Sequence, residues 1–312
     1  MHSDYLSFFG LNDHPFRLTP DTRYFFPSSK HKAVLEVMKY GIQRGEGFIV
    51  VTGDPGSGKT MLLRVLLKEL DPAFETALII APTLEPKELL QAILEDIGVD
   101  FNPSDTKERL VKKFRDYLID LVNKGKRLLL VIDEAQNLPL SSIEEIRLLS
   151  NLEMEDRKLF QILLVGQPSL ESKLKSPELS QFAQRVSVWE RVAHLSLEET
   201  IWYVQHRLGK AGGSHIPIEK GAEKILHRST QGIPRLINKV MDRSLLVMAA
   251  KFQRRLTKDV IKEAIRSLGP TLEDDGLKQI RSNWITLGLV SLAILVLAFI
   301  GFTIWWFLGK RL

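Results

Sequence analysis

One short stretch constrains this chain more than any other: Gly53-Asp54-Pro55-Gly56-Ser57-Gly58-Lys59-Thr60, with the spacing G-x-x-x-x-G-K-T. The apolar run Phe48-Ile49-Val50-Val51-Thr52 precedes it, and Met61-Leu62-Leu63-Arg64-Val65-Leu66-Leu67 follows with helical character. Strand, glycine-rich loop and helix in that order form the context that gives the spacing its meaning. Glycines let successive backbone N–H groups turn inward around a polyphosphate, and the helix N-terminus adds partial positive charge. Lys59 can reach the β- and γ-phosphates as a point charge, and the Thr60 hydroxyl can ligate Mg²⁺. Residues Gly53, Asp54, Pro55, Gly56, Ser57, Gly58, Lys59, Thr60 and Met61 are therefore the expected nucleotide-binding set.

A second motif lies downstream, in Arg127-Leu128-Leu129-Leu130-Val131-Ile132-Asp133-Glu134. The apolar run reads as a strand buried on both faces, as in a parallel sheet. Its two carboxylates fall at the strand's carboxyl edge, where ligands bind in open α/β sheets. Asp133 is suited to hold Mg²⁺ together with Thr60. Glu134 is suited to polarise an attacking water. Read alone, the pair is equally an acidic N-cap for the next helix; behind a phosphate loop it reads as catalytic.

Composition excludes several chemistries. There are no cysteines, which removes disulfides, thiolate metal sites and cysteine nucleophiles. Formal net charge is +5, an excess that serves nucleic acid or an anionic lipid surface and selects neither. At 312 residues the chain is long enough for about two domains.

The order of elements divides the chain. Residues 1–30, rich in aromatics and proline, read as an N-terminal arm packed on the domain that follows, with Pro15-Phe16 a candidate border for a base pocket. Residues 31–194 alternate strand and helix and form the nucleotide-binding α/β domain. Phe160–Val165 is a further buried strand, with Gln167 just beyond it, either sensing the γ-phosphate or an ordinary loop glutamine. Arg185 precedes the strand Val186–Val192 and is either an arginine finger for a neighbouring subunit or a solvated arginine. Residues 195–268 show only helical periodicity and form a second, all-helical domain. There Gly232-Ile233-Pro234-Arg235 places Arg235 at a helix N-terminus, within reach of the phosphates.

Residues 269–284 read as a polar linker. From Ile285 to Leu308 no residue is charged. As a helix this stretch would be roughly 36 Å long, enough for a hydrocarbon core of about 30 Å. Trp284 and Trp305-Trp306 flank it as aromatic belts do. The expectation is one C-terminal transmembrane helix, with the nucleotide domain facing the cytoplasm.

Residues 5–268 resemble the AAA+ ATPases of the general secretion pathway protein A family. The resemblance rests on Tyr5-Leu6-Ser7-Phe8-Phe9-Gly10-Leu11, Pro15-Phe16 and Leu18-Thr19-Pro20-Asp21, then Gly45-Glu46-Gly47-Phe48 and Gly53–Thr60. Ile132-Asp133-Glu134-Ala135-Gln136-Asn137-Leu138, Leu164-Val165-Gly166-Gln167-Pro168, Gln184-Arg185 and Gly232-Ile233-Pro234-Arg235 continue it. It implies a P-loop AAA+ parallel-sheet ATPase domain with a helical lid, binding ATP and Mg²⁺ in a homo-oligomeric ring. It also implies Arg185 as the finger acting in trans, Arg235 as the lid sensor and Gln167 as the strand-end sensor. Family members sit in the bacterial inner membrane, ATPase side in the cytoplasm, and serve secretion, pilus or polysaccharide-export machines with a membrane partner protein. The chain ends at Leu312, so peptidoglycan binding is expected from that partner rather than from this chain. Asp54-Pro55 departs from the family's usual Glu-Val, at positions not expected to supply an essential side chain.

Three functions follow: an inner-membrane ATPase driving or regulating machine assembly, a DNA-acting regulator of the transposition-accessory type, or a nucleotide-gated binding module. For the second, Lys251, Arg254, Arg255, Lys258 and Lys262 offer a phosphate-contacting face. The C-terminal apolar stretch argues against nucleic acid and for an anionic lipid bilayer.

Overall fold

A computed structural model describes residues 5–80, 83–154, 157–213 and 216–269. The strands are β1 (Phe48–Gly53), β2 (Phe74–Ile80), β3 (Arg127–Asp133), the short pair β4 (Glu153–Met154) and β5 (Arg157–Lys158), β6 (Phe160–Gly166) and β7 (Val186–Val192). Five of them form one parallel sheet in the order β2-β3-β6-β1-β7, and β4 pairs with β5 as an antiparallel ribbon. The sequence alternation explains the sheet. In β3, Leu128, Leu130 and Ile132 face one apolar layer while Leu129 and Val131 face the other, so both faces are buried.

Helices α1 (Tyr5–Phe9), α2 (Ser29–Arg44), α3 (Lys59–Lys68), α4 (Pro86–Asp96), α5 (Lys107–Asn123), α6 (Leu140–Leu149), α7 (Pro168–Leu174) and α8 (Ser180–Ala183) accompany the sheet. One layer is supplied by Val34, Leu35, Met38 and Ile42 of α2 with Leu62, Leu63 and Leu66 of α3. The other is supplied by the buried stripes of α4, α5 and α6, with Leu170 and Leu174 of α7. Register sets the functional edge. Thr52 lies opposite Gly166, and Ile132 opposite Leu164, so β1, β6 and β3 end side by side.

After β7 the described chain is helical: α9 (Leu197–Lys210), α10 (Ala222–Thr230), α11 (Pro234–Ala250) and α12 (Lys258–Leu268). A capping box between Ser196 and Glu199 starts α9, and Pro234 occupies the first turn of α11, where its missing N–H costs no hydrogen bond. An isolated bridge between Ile218 and Leu256 is the one strand-like pairing described here.

The arm does more than wrap the α/β layer. Tyr5 Oη donates to Asp242 Oδ1 (2.6 Å), Asn12 N to Ala211 O (2.7 Å), and Arg207 Nε to Pro15 O. Those anchors belong to the helical region, whereas Arg64 of α3 donates to Pro20 O (2.7 Å). A loop without strand partners must find donors for its carbonyls, and arginines on two sides supply them.

The expected C-terminal transmembrane helix and single-pass inner-membrane localisation are corrected here. Among the described residues no helix is long and apolar enough to cross a membrane. The stretch 285–308 that carried the expectation lies outside the described residues, as does the linker beyond Gly269.

Candidate active site

The loop after β1 turns on two glycines in the left-handed region, Gly56 (φ 78°) and Gly58 (φ 106°), conformations that side-chain-bearing residues rarely adopt. A Cβ at Gly56 would lie 2.6 Å from Arg235 Cβ, so only glycine lets α11 approach this closely. The Arg235 backbone N–H donates to Gly56 O (3.3 Å), and Arg235 borders the same cavity as the loop.

The loop rests on a side chain that sequence patterns do not single out. His31 of α2 donates through Nε2 to Ser57 O (2.9 Å), while its Nδ1 accepts from Ser28 Oγ (2.6 Å). Burial pushes the His31 pKa below its ordinary value, so the ring is kept neutral in the tautomer those two bonds require.

Lys59 is buried, and its Nζ donates to Gly53 O (2.8 Å) and Asp54 O (3.1 Å). Burial lowers its pKa, and the charges of Glu134, Asp133 and Asp54 work against that shift. Thr60 Oγ1 donates to Asp133 Oδ2 (3.1 Å), and the Glu134 backbone N–H donates to Asp133 Oδ1 (2.9 Å). Burial raises the Asp133 pKa, opposed by those two hydrogen bonds. A hydroxyl and a carboxylate side by side form a hard oxygen donor set of the kind Mg²⁺ takes. Among the described residues no cluster of three His, Cys, Asp or Glu could hold a metal unaided. A cation fits here only if substrate and water oxygens complete its shell.

Glu134 stands in the left-handed region (φ 53°), unusual for a residue with a side chain. Its Oε2 accepts from Gln136 Nε2 (2.7 Å) and from Gln167 Nε2 (3.4 Å). Glu134 and Gln167 both border a cavity of about 340 Å³, with Pro55, Gly56, Gly58, Lys59, Thr60, Met61 and Arg235. Its lining also includes Leu18, Thr19, Pro20, Tyr24, Phe25, Phe26 and Tyr203. Phe16 is instead a core residue, 2% exposed, so the apolar wall is built a few residues further along the arm than Pro15-Phe16. The lining thus combines the phosphate loop and polar side chains with aromatic and apolar ones of the kind that suit a flat base.

Arg185 is placed elsewhere. Its Nη1 donates to Asn151 Oδ1 (2.7 Å), Ser150 Oγ (2.9 Å) and Arg147 O (3.4 Å) beyond the C-terminal end of α6, outside the cavity. Asp54 takes a role the sequence did not suggest. Its carboxylate accepts from His194 Nε2 (2.8 Å) with Arg191 nearby (3.8 Å), and the His194 bond holds its pKa below the ordinary carboxylate value. The basic cluster running from the C-cap of α11 into α12 is largely engaged within the chain. Lys251 pairs with Glu263, Lys258 with Glu219 and Lys262 with Asp259, and Arg254 lies over the Phe8 ring.

Residues 42–174 match the AAA domain family. The chain is 35% identical over 305 residues to general secretion pathway protein A of Aeromonas hydrophila, covering 98% of this chain and 54% of that protein. It therefore spans about half the length of that relative. Among solved structures it is similar to CDC6P from Pyrobaculum aerophilum (TM-score 0.62, 15% identity, 79% of this chain and 71% of that one). It is also similar to the ORC2 protein of Aeropyrum pernix in ADPNP-ADP complexes (TM-score 0.58, 15% identity, 77% and 67%). The RuvB Holliday junction branch migration motor of Thermotoga maritima gives a TM-score of 0.52 at 17% identity, over 81% and 73%. At these identities the structural likeness speaks for the fold.

Proposed function

We propose that this chain, which matches the AAA domain family over residues 42–174 and is related to general secretion pathway protein A, is an ATPase that hydrolyses Mg-ATP to drive or regulate assembly of a bacterial secretion, pilus or polysaccharide-export machine. One observation carries the hydrolytic part: the Thr60 hydroxyl sits 3.1 Å from Asp133, beside a cavity bordered by Lys59 and Glu134. Four groups of complementary chemistry converge there from two separate segments, the start of α3 and the end of β3.

In this reading the backbone N–H groups of residues 56–60 cradle the phosphates, and Lys59 exchanges its loop carbonyls for β- and γ-phosphate oxygens. Thr60 and Asp133 would hold Mg²⁺, which would offset the negative charge of the phosphates. Glu134 accepts a proton from the attacking water, and Gln167 contacts the γ-phosphate end of the cavity. Arg235, at the start of α11, reports the nucleotide to the helical region. Arg185, parked outside its own cavity, serves the nucleotide of a neighbouring subunit in a ring. The role in machine assembly is supported by the 35% identity to general secretion pathway protein A.

Purified protein should release phosphate from ATP only with Mg²⁺. Lys59→Ala should lose both binding and turnover, whereas Glu134→Gln should bind ATP and fail to turn it over. Turnover unchanged in both variants would sink the hydrolytic reading. Crosslinked pull-down of Glu134→Gln from its host should recover components of a secretion, pilus or export machine. Recovery of nucleic-acid-processing proteins in their place would overturn the assembly role.

A further inference from the structure

We infer that Gln136 is a positioning residue for hydrolysis: its carboxamide bridges Glu134 and Gln167, so that base and strand-end sensor are held as one unit. The inference rests on the hydrolytic reading above. Nothing in the motif spacing singles out Gln136, since two residues past a strand end is ordinary loop territory.

The bridge follows from backbone geometry. Because Glu134 adopts φ 53°, the chain turns back at once into the short 3-10 turn Ala135–Asn137. That turn returns residue 136 alongside the carboxylate of residue 134. Gln136 Nε2 then donates to Glu134 Oε2 (2.7 Å), and Gln136 Oε1 accepts from the Gln167 backbone N–H (3.0 Å). The amide's orientation is fixed by chemistry, because the reversed amide would set its oxygen against a carboxylate and its NH₂ against an N–H. Gln136 therefore crosses from the end of β3 to the end of β6, neighbours in the sheet.

Two other residues exist in a form that permits this. A Cβ at Gly166 would lie 2.9 Å from Gln136 Oε1 and 2.8 Å from Leu170 Cδ2, so a side chain there would displace the bridge. Lys173 Nζ donates to Gln136 O and Leu138 O (both 2.8 Å), pinning the turn from α7. The bridge occupies Oε2 of Glu134, so Oε1 is the oxygen left to receive the water's proton. A carboxylate held by a second group keeps its aim at modest entropic cost, and loss of that aim weakens the transition state more than the ground state.

Two variants separate the halves of the bridge. Gln136→Ala removes both bonds. Gln136→Glu keeps shape and still accepts from the Gln167 N–H, yet faces Glu134 with like charge. In nucleotide-free protein, hydrogen exchange at the Gln167 amide should accelerate in Gln136→Ala and stay slow in Gln136→Glu. Both variants should lose turnover by roughly 10- to 10²-fold while binding a fluorescent ATP analogue within about twofold of wild type. Adding Gln167→Ala to Gln136→Ala should cost less than the two singles combined, since both act on one carboxylate. If Gln136→Ala does not fold, Gln136→Glu decides alone. Turnover kept in Gln136→Glu, or affinity lost in step with turnover, overturns the inference. Wild-type protein without Mg-ATP turnover sinks the hydrolytic reading and this inference with it; wild-type turnover that the variants retain sinks this inference only.

Discussion

The sheet's carboxyl edge and the helical region from α9 onward both reach the phosphate loop, and they are held there by opposite means. Strands β1, β3 and β6 are hydrogen-bonded in register, and their side chains are buried in apolar layers on both faces. The helical region meets the loop at the start of α11, where Arg235 lies against Gly56 and its N–H donates to Gly56 O (3.3 Å), and the segment between β7 and α9 adds the bond from His194 Nε2 to Asp54 Oδ2 (2.8 Å). Between them runs a tight crossing where Leu195 N–H donates to Gly232 O (3.0 Å). Groups that must keep constant geometry during chemistry sit on the part that cannot shift without opening a core. Arg235, proposed above to report the nucleotide, sits on the part whose hydrogen bond to the loop is worth about 1 kcal/mol.

That contrast can be broken from either side. The largest effect belongs to the rigid edge: Lys59→Ala should cut turnover by roughly 10²-fold or more, read as phosphate release, because a charged donor to the phosphates is lost. Thermal unfolding of that variant should stay near wild type, since its bonds are to loop carbonyls that water can satisfy. Next comes the crossing. A Cβ at Gly232 (φ 73°) would fall 2.0 Å from Leu195 O, whereas one at Gly98 (φ 71°) meets nothing within 4 Å. Gly98→Ala should cost about 1–2 kcal/mol from the backbone conformation alone. Gly232→Ala should cost clearly more and expose the helical region to limited proteolysis; equal costs would remove the case for a tight crossing.

A smaller effect is expected at the loop's outer tie. Asp54→Asn and His194→Ala should each destabilise by about 1 kcal/mol, and the double variant by little more than one alone. Full additivity in denaturant titrations would show that the two side chains do not act as a pair. Smallest is a pH effect. His31 has a folded-state pKa below its unfolded value near 6.5, so the unfolded chain takes up a proton first as pH falls. Its contribution is present above about 6.5 and is lost progressively below it. His206 and His227 are also lowered by burial and add the same sign. The midpoint of thermal unfolding should therefore drop between pH 7.5 and 5.5, and His31→Gln should flatten part of that slope. A slope unaltered by the substitution would mean His31 stays neutral in neither state preferentially.

Legibility differed along the same line. The β1–loop–α3 unit was readable because apolar runs, glycines and the lysine-threonine pair are contiguous, and contiguous residues share one local geometry. Asp133 and Glu134 were readable because a doubly buried strand needs an unbroken apolar run and ends where the run ends. The apolar wall was misjudged by a few residues, since Phe16 and Phe25 are equally apolar in sequence and only packing decides that Phe16 is core.

By itself, the sequence determined the element order, the phosphate loop and the paired carboxylates, all fixed by periodicity and by short-range backbone preference. Tertiary structure alone decided which side chains meet: Gln136 with the Gln167 N–H, His31 with Ser57 O, and Asp54 with His194. Those partners are 31, 26 and 140 residues apart. The physical reason is that strand order is set by non-local pairing. A hydrogen bond forms only within a few tenths of an ångström of its ideal length, a tolerance the spacing of distant residues along a chain does not specify.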